Sequence, residues 1–167
     1  MKTEKGTLSA VRLARLRAQG YTEESDLHLS EMAFGIRFAY RMCVSIIILA
    51  MITHSTALFV LMSGIAFLGM ILPKHPFDYV YNYTLSKWMK RTALPRRSRQ
   101  LKFACSIATI WLVTIVYLML TGYTNAAMVM AGLLAIIASF PSTIDYCIPS
   151  VIYNALFLRG EKNLHLK

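Results

Sequence analysis

The sequence predicts an all-α integral membrane protein with four transmembrane helices, arranged as two repeated hairpins that are each followed by a short interfacial amphipathic helix. Three observations favour this fold. The chain is 56% hydrophobic, with a mean hydropathy of +0.50, which lies above the usual range of soluble domains. It contains four apolar runs of about the length that a bilayer core requires. Its net charge of +10 comes from Lys and Arg residues that flank these runs, so we expect a lipid bilayer as partner and no nucleic acid.

The four runs are predicted as helices separated by two very short connectors and one long loop. The connectors HSTA and GYTN leave room only for antiparallel hairpins. The second run is the shortest, and the sequence leaves open whether it crosses the bilayer fully. The predicted spans are about 36–53, 57–72, 103–121 and 125–144. The predicted organisation is an N-terminal arm 1–34, a membrane domain 35–158 with repeats of about 35–94 and 95–158, and a tail 159–167.

The distribution of positive charge predicts the orientation. The loop 73–102 is rich in Lys and Arg and has Asp78 as its single acid, whereas neither hairpin tip carries a charged residue. Positive charge resists translocation. We therefore expect a multi-pass membrane protein with this loop and both termini in the cytoplasm.

The chain also repeats a series of short motifs. Two copies separated by two spans would have the same orientation and be related by an axis along the membrane normal. In each copy Phe-Ala opens the hairpin, a proline ends it, and Asp-Tyr and then Tyr-Asn follow. These are Phe38-Ala39, Pro73, Asp78-Tyr79 and Tyr81-Asn82 in the first copy, and Phe103-Ala104, Pro141, Asp145-Tyr146 and Tyr153-Asn154 in the second.

The segments outside the hairpins are predicted as short helices. After the first hairpin, Phe77, Val80, Tyr81, Thr84 and Trp88 fall on one face and Asp78, Asn82, Lys87 and Arg91 largely on the other, as in a helix that lies in the membrane interface. In the arm we expect a weakly amphipathic helix from Thr7 to about Gln19, stopped by Gly20. The acids Glu23, Glu24, Asp26 and Glu31 are candidates to pair with the basic loop.

The three cysteines are predicted to lie on one side of the membrane. Cys43 and Cys105 are interpreted as packing residues, because a buried free cysteine behaves as a small hydrophobe. Cys147 precedes a proline and a short helix in Cys-Ile-Pro-Ser, where a helix N-terminus would stabilise a nucleophilic thiolate. Cys147, with its neighbour Asp145, is therefore the candidate catalytic group, and an inert interfacial cysteine is the alternative.

The other polar candidates are binding residues near the basic loop. Asp78 and Asp145 occupy matching repeat positions and are expected to cap interfacial helices and to pair with a nearby arginine such as Arg37 or Arg41. His75 is interpreted as a solvent-exposed turn residue, since His-x-x-Asp alone is a weak metal motif. No metal or cofactor is expected. The candidate binding residues are Asp78, His75, Arg96, Arg97 and Arg99.

The span from Phe34 to Phe157 resembles the small bacterial membrane proteins grouped as domain of unknown function 4395. The residues that carry the resemblance are HPFDYVYN from His75, PRRSRQLKFAC from Pro95 and DYCIPSVIYN from Asp145. Members of that family carry a Cys-x-x-Cys pair where this sequence has Cys147 and Ser150, and some are encoded beside thioredoxin-like or sulfurtransferase proteins. The resemblance thus implies sulfur or redox traffic, while Ser150 argues against thiol–disulfide exchange within the motif itself.

Three functions follow as expectations. The first is a non-catalytic scaffold or accessory subunit, which docks membrane or cytoplasmic partners and has no evident catalytic constellation. The second is a membrane thiol protein that uses Cys147 with a thioredoxin-like partner or an anionic sulfur donor. The third is a transporter of a small anion, which four short helices would build only as a homo-oligomer.

Overall fold

The computed structural model describes residues 8–158, and all regular structure in this range is helical. The predicted beginning of the arm and the tail 159–167 lie outside the described residues. The helices are α1 (Ala10–Ala18), α2 (Asp26–Ile52), α3 (Thr56–Ile71), α4 (Pro76–Trp88), α5 (Arg99–Leu120), α6 (Thr124–Thr143) and α7 (Ile148–Leu158).

Three of these helices, α2, α5 and α6, are long and apolar enough to cross a membrane. The 16 residues of α3 pass the same test only together with α4, and the two are bent by 80° at the break between them. The predicted all-helical fold is thereby confirmed, with three candidate spans or up to four if the bent pair is one span.

The four long helices form a ring in which each contacts two others. α2 packs against α3 and α6, and α5 packs against the same two helices. The core between them contains the fully buried Ala50, Phe59, Ala127 and Ala131. Alanine lets helix backbones approach closely where lipid supplies no hydrophobic drive for association, so the small residues of α6 are explained by packing.

A second core lies at the end of the bundle that carries the loop 73–102, which we call the basic end. It joins α1, the first turns of α2 and the middle of α4 through the fully buried Leu16, Leu29, Met32 and Tyr81. α2 begins at Asp26 after a Ser25 cap, ten residues before the predicted span 36–53. Its first turns bury an apolar stripe against protein and not against lipid.

The orientation of α4 differs from the prediction. Asp78 and Tyr81 are both buried, whereas Val80, Tyr83 and Trp88 are exposed. The predicted division of faces is therefore wrong, since Asp78 and Tyr81 are buried together. A π-helical turn follows at Tyr81–Leu85, and α7 contains another at Asn154–Leu158.

Candidate functional site

An internal cavity of about 240 Å³ lies toward the basic end, between the four long helices and the start of α7. Its walls are mostly apolar, and all three cysteines line it. Cys43 comes from α2, Cys105 from α5 and Cys147 from the link that precedes α7. All three are free thiols. Residues that are distant in sequence thus converge on one small space.

The three thiols are differently placed around the cavity. Cys105 and Cys147 are buried, and Cys43 is half-buried. The Cys105 thiol is close enough to those of both other cysteines to interact electrostatically with each. Cys105 thus shares the cavity with both of the other cysteines.

Arg97 supplies the cationic group of the cavity. Its Nε donates to Asp78 Oδ2 at 2.7 Å and its Nη2 to Asp78 Oδ1 at 3.3 Å, in a pair whose side chains are only 7% and 5% exposed. Its Nη1 points to Cys105 Sγ at 3.4 Å. Burial alone would lower the pKa of Arg97, but Asp78 and Cys105 together raise that pKa well above its ordinary value, so the guanidinium keeps its charge.

His75 lines the same cavity and is buried, so its predicted solvent exposure is wrong. It caps α4: Nδ1 accepts the N–H of Phe77 at 3.3 Å, and its own N–H donates to Asp78 Oδ2 at 3.0 Å. Burial and the adjacent Arg97 lower the pKa of His75 from 6.5 to about 3. The imidazole is therefore neutral at physiological pH, and with Nδ1 accepting, the ring proton lies on Nε2.

The close approach of His75 depends on Gly69 of α3. A Cβ at Gly69 would lie 2.3 Å from His75 Cδ2 and 3.1 Å from Cys105 Sγ. The imidazole thus occupies the volume that a side chain at this helix position would fill. The absence of that side chain brings the ring of His75 to the thiol side of the cavity.

Asp145 is held by arginines and is not free to act as a base. Arg37 donates to both of its carboxylate oxygens at 2.6 Å and 2.5 Å, and Arg12 donates to Oδ2 at 2.8 Å. The expected pairing with Arg37 is confirmed. The candidate catalytic role of Asp145 beside Cys147 finds no support in these contacts, because both oxygens already accept charged hydrogen bonds.

The contacts of the two motif copies are reciprocal. Asp78 follows the first hairpin and pairs with Arg97, which precedes the second, whereas Asp145 follows the second hairpin and pairs with Arg37 in the helix that opens the first. The asparagines behave likewise. Asn82 bonds both backbone groups of Leu94 ahead of α5, and the Asn154 amide donates to the Ala18 carbonyl ahead of α2 at 2.7 Å.

A second cavity, of about 340 Å³, lies on the other side of Cys147. It is formed by α1 and the start of α7, with Arg15, Gln19 and Tyr146 among its lining residues. Cys147 lines both cavities. Its sulfur therefore stands in the partition between an outer cleft at the basic end and the inner cavity of the bundle.

The N-terminal arm contributes more than its sequence predicts. The Gln19 amide donates to the Asp145 carbonyl at 2.8 Å, and the Gln19 carbonyl accepts from Ser98. The arm thereby covers the basic end. Its acids pair mainly within the arm, as Arg17 with Asp26 at 2.6 Å, although Glu31 accepts from Thr92 in the basic loop. The only sequence hint was the pair of leucines, Leu13 and Leu16, that α1 buries.

The remaining predicted binding residues do not reach the site. Arg96 and Arg99 are exposed, so among the three predicted arginines only Arg97 enters the cavity. Sequence reasoning missed Tyr40 and Trp111, which line the cavity at otherwise unremarkable helix positions. Across residues 8–158 no cluster of three or more His, Cys, Asp or Glu is suited to hold a metal ion.

Comparison with protein families matches residues 33–157 to a family described as a domain of unknown function, DUF4395. The match covers most of the chain and confirms the resemblance found in the sequence. No curated protein and no solved structure matches the chain.

Proposed function

We propose, from the premise that the chain belongs to the DUF4395 family, that it is a multi-pass membrane protein that carries out thiol–disulfide exchange. Cys105 and Cys147 are the redox pair. The observation that carries the proposal is the convergence of three free thiols on one cavity that also contains a buried arginine. Structural cysteines need neither a common cavity nor a cation beside the sulfur.

The proposed topology has four spans in two repeats, with the basic end in the cytoplasm of a bacterial cell. The positive charge of the loop 73–102 supports this orientation. The reciprocal pairs Asp78–Arg97 and Asp145–Arg37 support the repeat, because the two corresponding aspartates each pair with an arginine near the start of the other hairpin. The outer cleft then faces the cytoplasm and the inner cavity lies in the membrane.

The chemistry begins with a disulfide between Cys105 and Cys147. The thiolate of a cytoplasmic dithiol attacks Cys147 Sγ from the outer cleft, forming a mixed disulfide, and Cys105 leaves as a thiolate beside Arg97 Nη1. The second thiol of the partner then displaces Cys147, and both cysteines take up protons. The partner is oxidised to a disulfide, and two electrons enter the protein. Arg97 Nη1 can donate a hydrogen bond to the departing sulfur, which offsets part of the cost of placing that charge in the cavity.

This pairing also accounts for the missing cysteine of the family motif. Cys147 is followed by Ser150 and not by a second cysteine. Cys105, which comes from α5, can serve as the partner that Ser150 cannot. The third thiol, Cys43, lines the cavity without facing the outer cleft, and its proposed role is secondary.

The other two functions remain weaker proposals. Nothing in the described contacts selects a partner for a scaffold, although the exposed Arg96 and Arg99 are available for docking. Transport of an anion is disfavoured because the charge of Arg97 is already balanced by Asp78.

The test is a count of thiols in the protein purified into lipid nanodiscs. Mild oxidation with diamide followed by alkylation with a maleimide-polyethylene glycol should leave one reactive thiol in the parent protein and none in Cys43→Ser. Cys105→Ser and Cys147→Ser should each keep both of their remaining thiols. The proposal is refuted if oxidation forms no Cys105–Cys147 disulfide in the parent protein or in Cys43→Ser. It is also refuted if every pair of cysteines forms a disulfide equally well.

A further inference from the structure

We infer that the inner cavity binds the ring of a lipid-soluble quinone and that the Cys105–Cys147 dithiol reduces it there. This inference rests on the proposed function and adds its membrane-side substrate. It follows from the charge of the cavity, the position of its rim, its free hydrogen-bond donor and its size.

The charge balance of the cavity favours a neutral ligand. Arg97 is paired with Asp78, and His75 is uncharged. A bound anion would bring one unbalanced negative charge into a largely apolar space, which costs several kcal/mol in real proteins. A neutral molecule with hydrogen-bond acceptors meets no such penalty.

The rim of the cavity indicates that the ligand enters from lipid. Among the lining residues Ile152 of α7 is exposed, and Ile107 of α5 and Ile137 of α6 are half-buried. The polar groups, His75 and Arg97, lie at the buried side. An opening framed by isoleucines on helices that face the bilayer admits a hydrophobic molecule more readily than a water-soluble one.

One donor in the cavity, on the buried His75, has no acceptor among the described residues. His75 Nδ1 is used by Phe77, and no hydrogen bond from Nε2 is formed within residues 8–158. His75 Nε2–H and the guanidinium of Arg97 can donate to the carbonyl oxygen of a quinone. These donors would also stabilise the negative charge that develops on that oxygen during reduction.

The volume is suited to a single substituted ring. A cavity of about 150 Å³ binds benzene, and this one measures about 240 Å³. The isoprenoid tail would leave through the isoleucine rim into lipid. In the reaction two S–H bonds break and one S–S bond forms, while two electrons and two protons pass to the two carbonyl oxygens and yield the hydroquinone.

Trp111 lines the cavity and provides the readout. In a Trp88→Phe background it is the only tryptophan, and Trp88 is 84% exposed, so its replacement is mild. In nanodiscs, the quinone decylubiquinone should quench Trp111 fluorescence saturably. The anion thiosulfate should not reverse the quenching, because the cavity favours a neutral ligand. Ala108→Phe and Ala138→Phe, which fill the cavity, should each weaken binding roughly tenfold or more, whereas the exposed Ala126→Phe should not.

The double variant Cys105→Ser/Cys147→Ser separates this inference from the proposed function. It should keep saturable quenching but form no quinol with a dithiol donor such as dithiothreitol. Quenching that rises linearly with quinone concentration, or that is unchanged in both cavity-filling variants, overturns the inference even if the disulfide forms. Saturable quenching in a protein that forms no disulfide overturns the proposed exchange and the reduction step, and leaves only the binding.

Discussion

Replacing Arg97 by glutamine tests whether the buried ion pair holds the site together. The carboxylate of Asp78 would keep the N–H of His75 as a partner but lose both hydrogen bonds from the guanidinium. Because both side chains are at most 7% exposed, removing one partner leaves a buried charge uncompensated, which costs about 3–5 kcal/mol. The free energy of unfolding, measured by titration with dodecyl sulfate in mixed micelles, should fall by this amount.

The chain contains a matched control in Arg17, which forms an equally short pair with Asp26. Those side chains are 49% and 52% exposed, and exposed pairs contribute about 0–1 kcal/mol. Arg17→Gln should therefore change the free energy of unfolding by less than about 1 kcal/mol. In Asp78→Asn/Arg97→Gln the asparagine can still accept from His75, so the double variant should be more stable than either single one. Equal losses for Arg97→Gln and Arg17→Gln, or additive losses in the double variant, would refute the reasoning.

Three further predictions concern stability and pairing. Gly69→Ala should lower the free energy of unfolding by about 1–3 kcal/mol through the clash with His75. Gly64→Ala is the control: its new Cβ meets nothing within 4 Å, so it should be neutral or stabilising by up to about 1 kcal/mol. A larger loss for Gly64→Ala than for Gly69→Ala would contradict this packing. Because the pKa of His75 is about 3 in the folded state and 6.5 unfolded, its stabilisation is fully present above pH 6.5 and is lost toward pH 3, by about 1.4 kcal/mol per pH unit. His75→Asn should flatten this dependence between pH 6.5 and 5 in the same titration, and an unchanged slope would show that other groups cause it. The buried Ser150 hydroxyl has no hydrogen-bond partner among residues 8–158, so Ser150→Cys should fold at no cost and form a disulfide with Cys147. Thiol counting in a Cys43→Ser/Cys105→Ser background detects this disulfide.

The long apolar helices could be predicted from the sequence because each apolar run is bounded by charged residues on one side and by a short polar connector on the other. The predicted runs 57–72 and 125–144 lie within one residue of Thr56–Ile71 and Thr124–Thr143. Hydropathy does not reveal the beginning of α2, because Asp26 and Glu31 lie in its first turns. Leu29, Met32, Ala33 and Ile36 have helical spacing and are buried, so periodicity was the pattern that would have found it.

The site was less accessible to sequence reasoning. Topology placed the cysteines on one side, but only the packing of α2 against α6 and of α5 against α3 and α6 brings Cys43, Cys105 and Cys147 around a common space. Charge alone does not distinguish Arg97 from Arg96, because burial of one arginine is decided by the partner carboxylate on another helix. The same holds for His75, whose burial follows from a glycine on α3.

The reciprocal pairs also determine an order of events during biosynthesis. Asp78 and Arg97 are 19 residues apart and can pair soon after both leave the ribosome. Arg37 cannot pair until Asp145, which is 108 residues away, has been synthesised. At about 5–20 residues per second, that delay is roughly 5 to 20 s. During this time the first hairpin carries an arginine without its carboxylate. Completion of the second hairpin thus supplies the carboxylate that neutralises the arginine of the first.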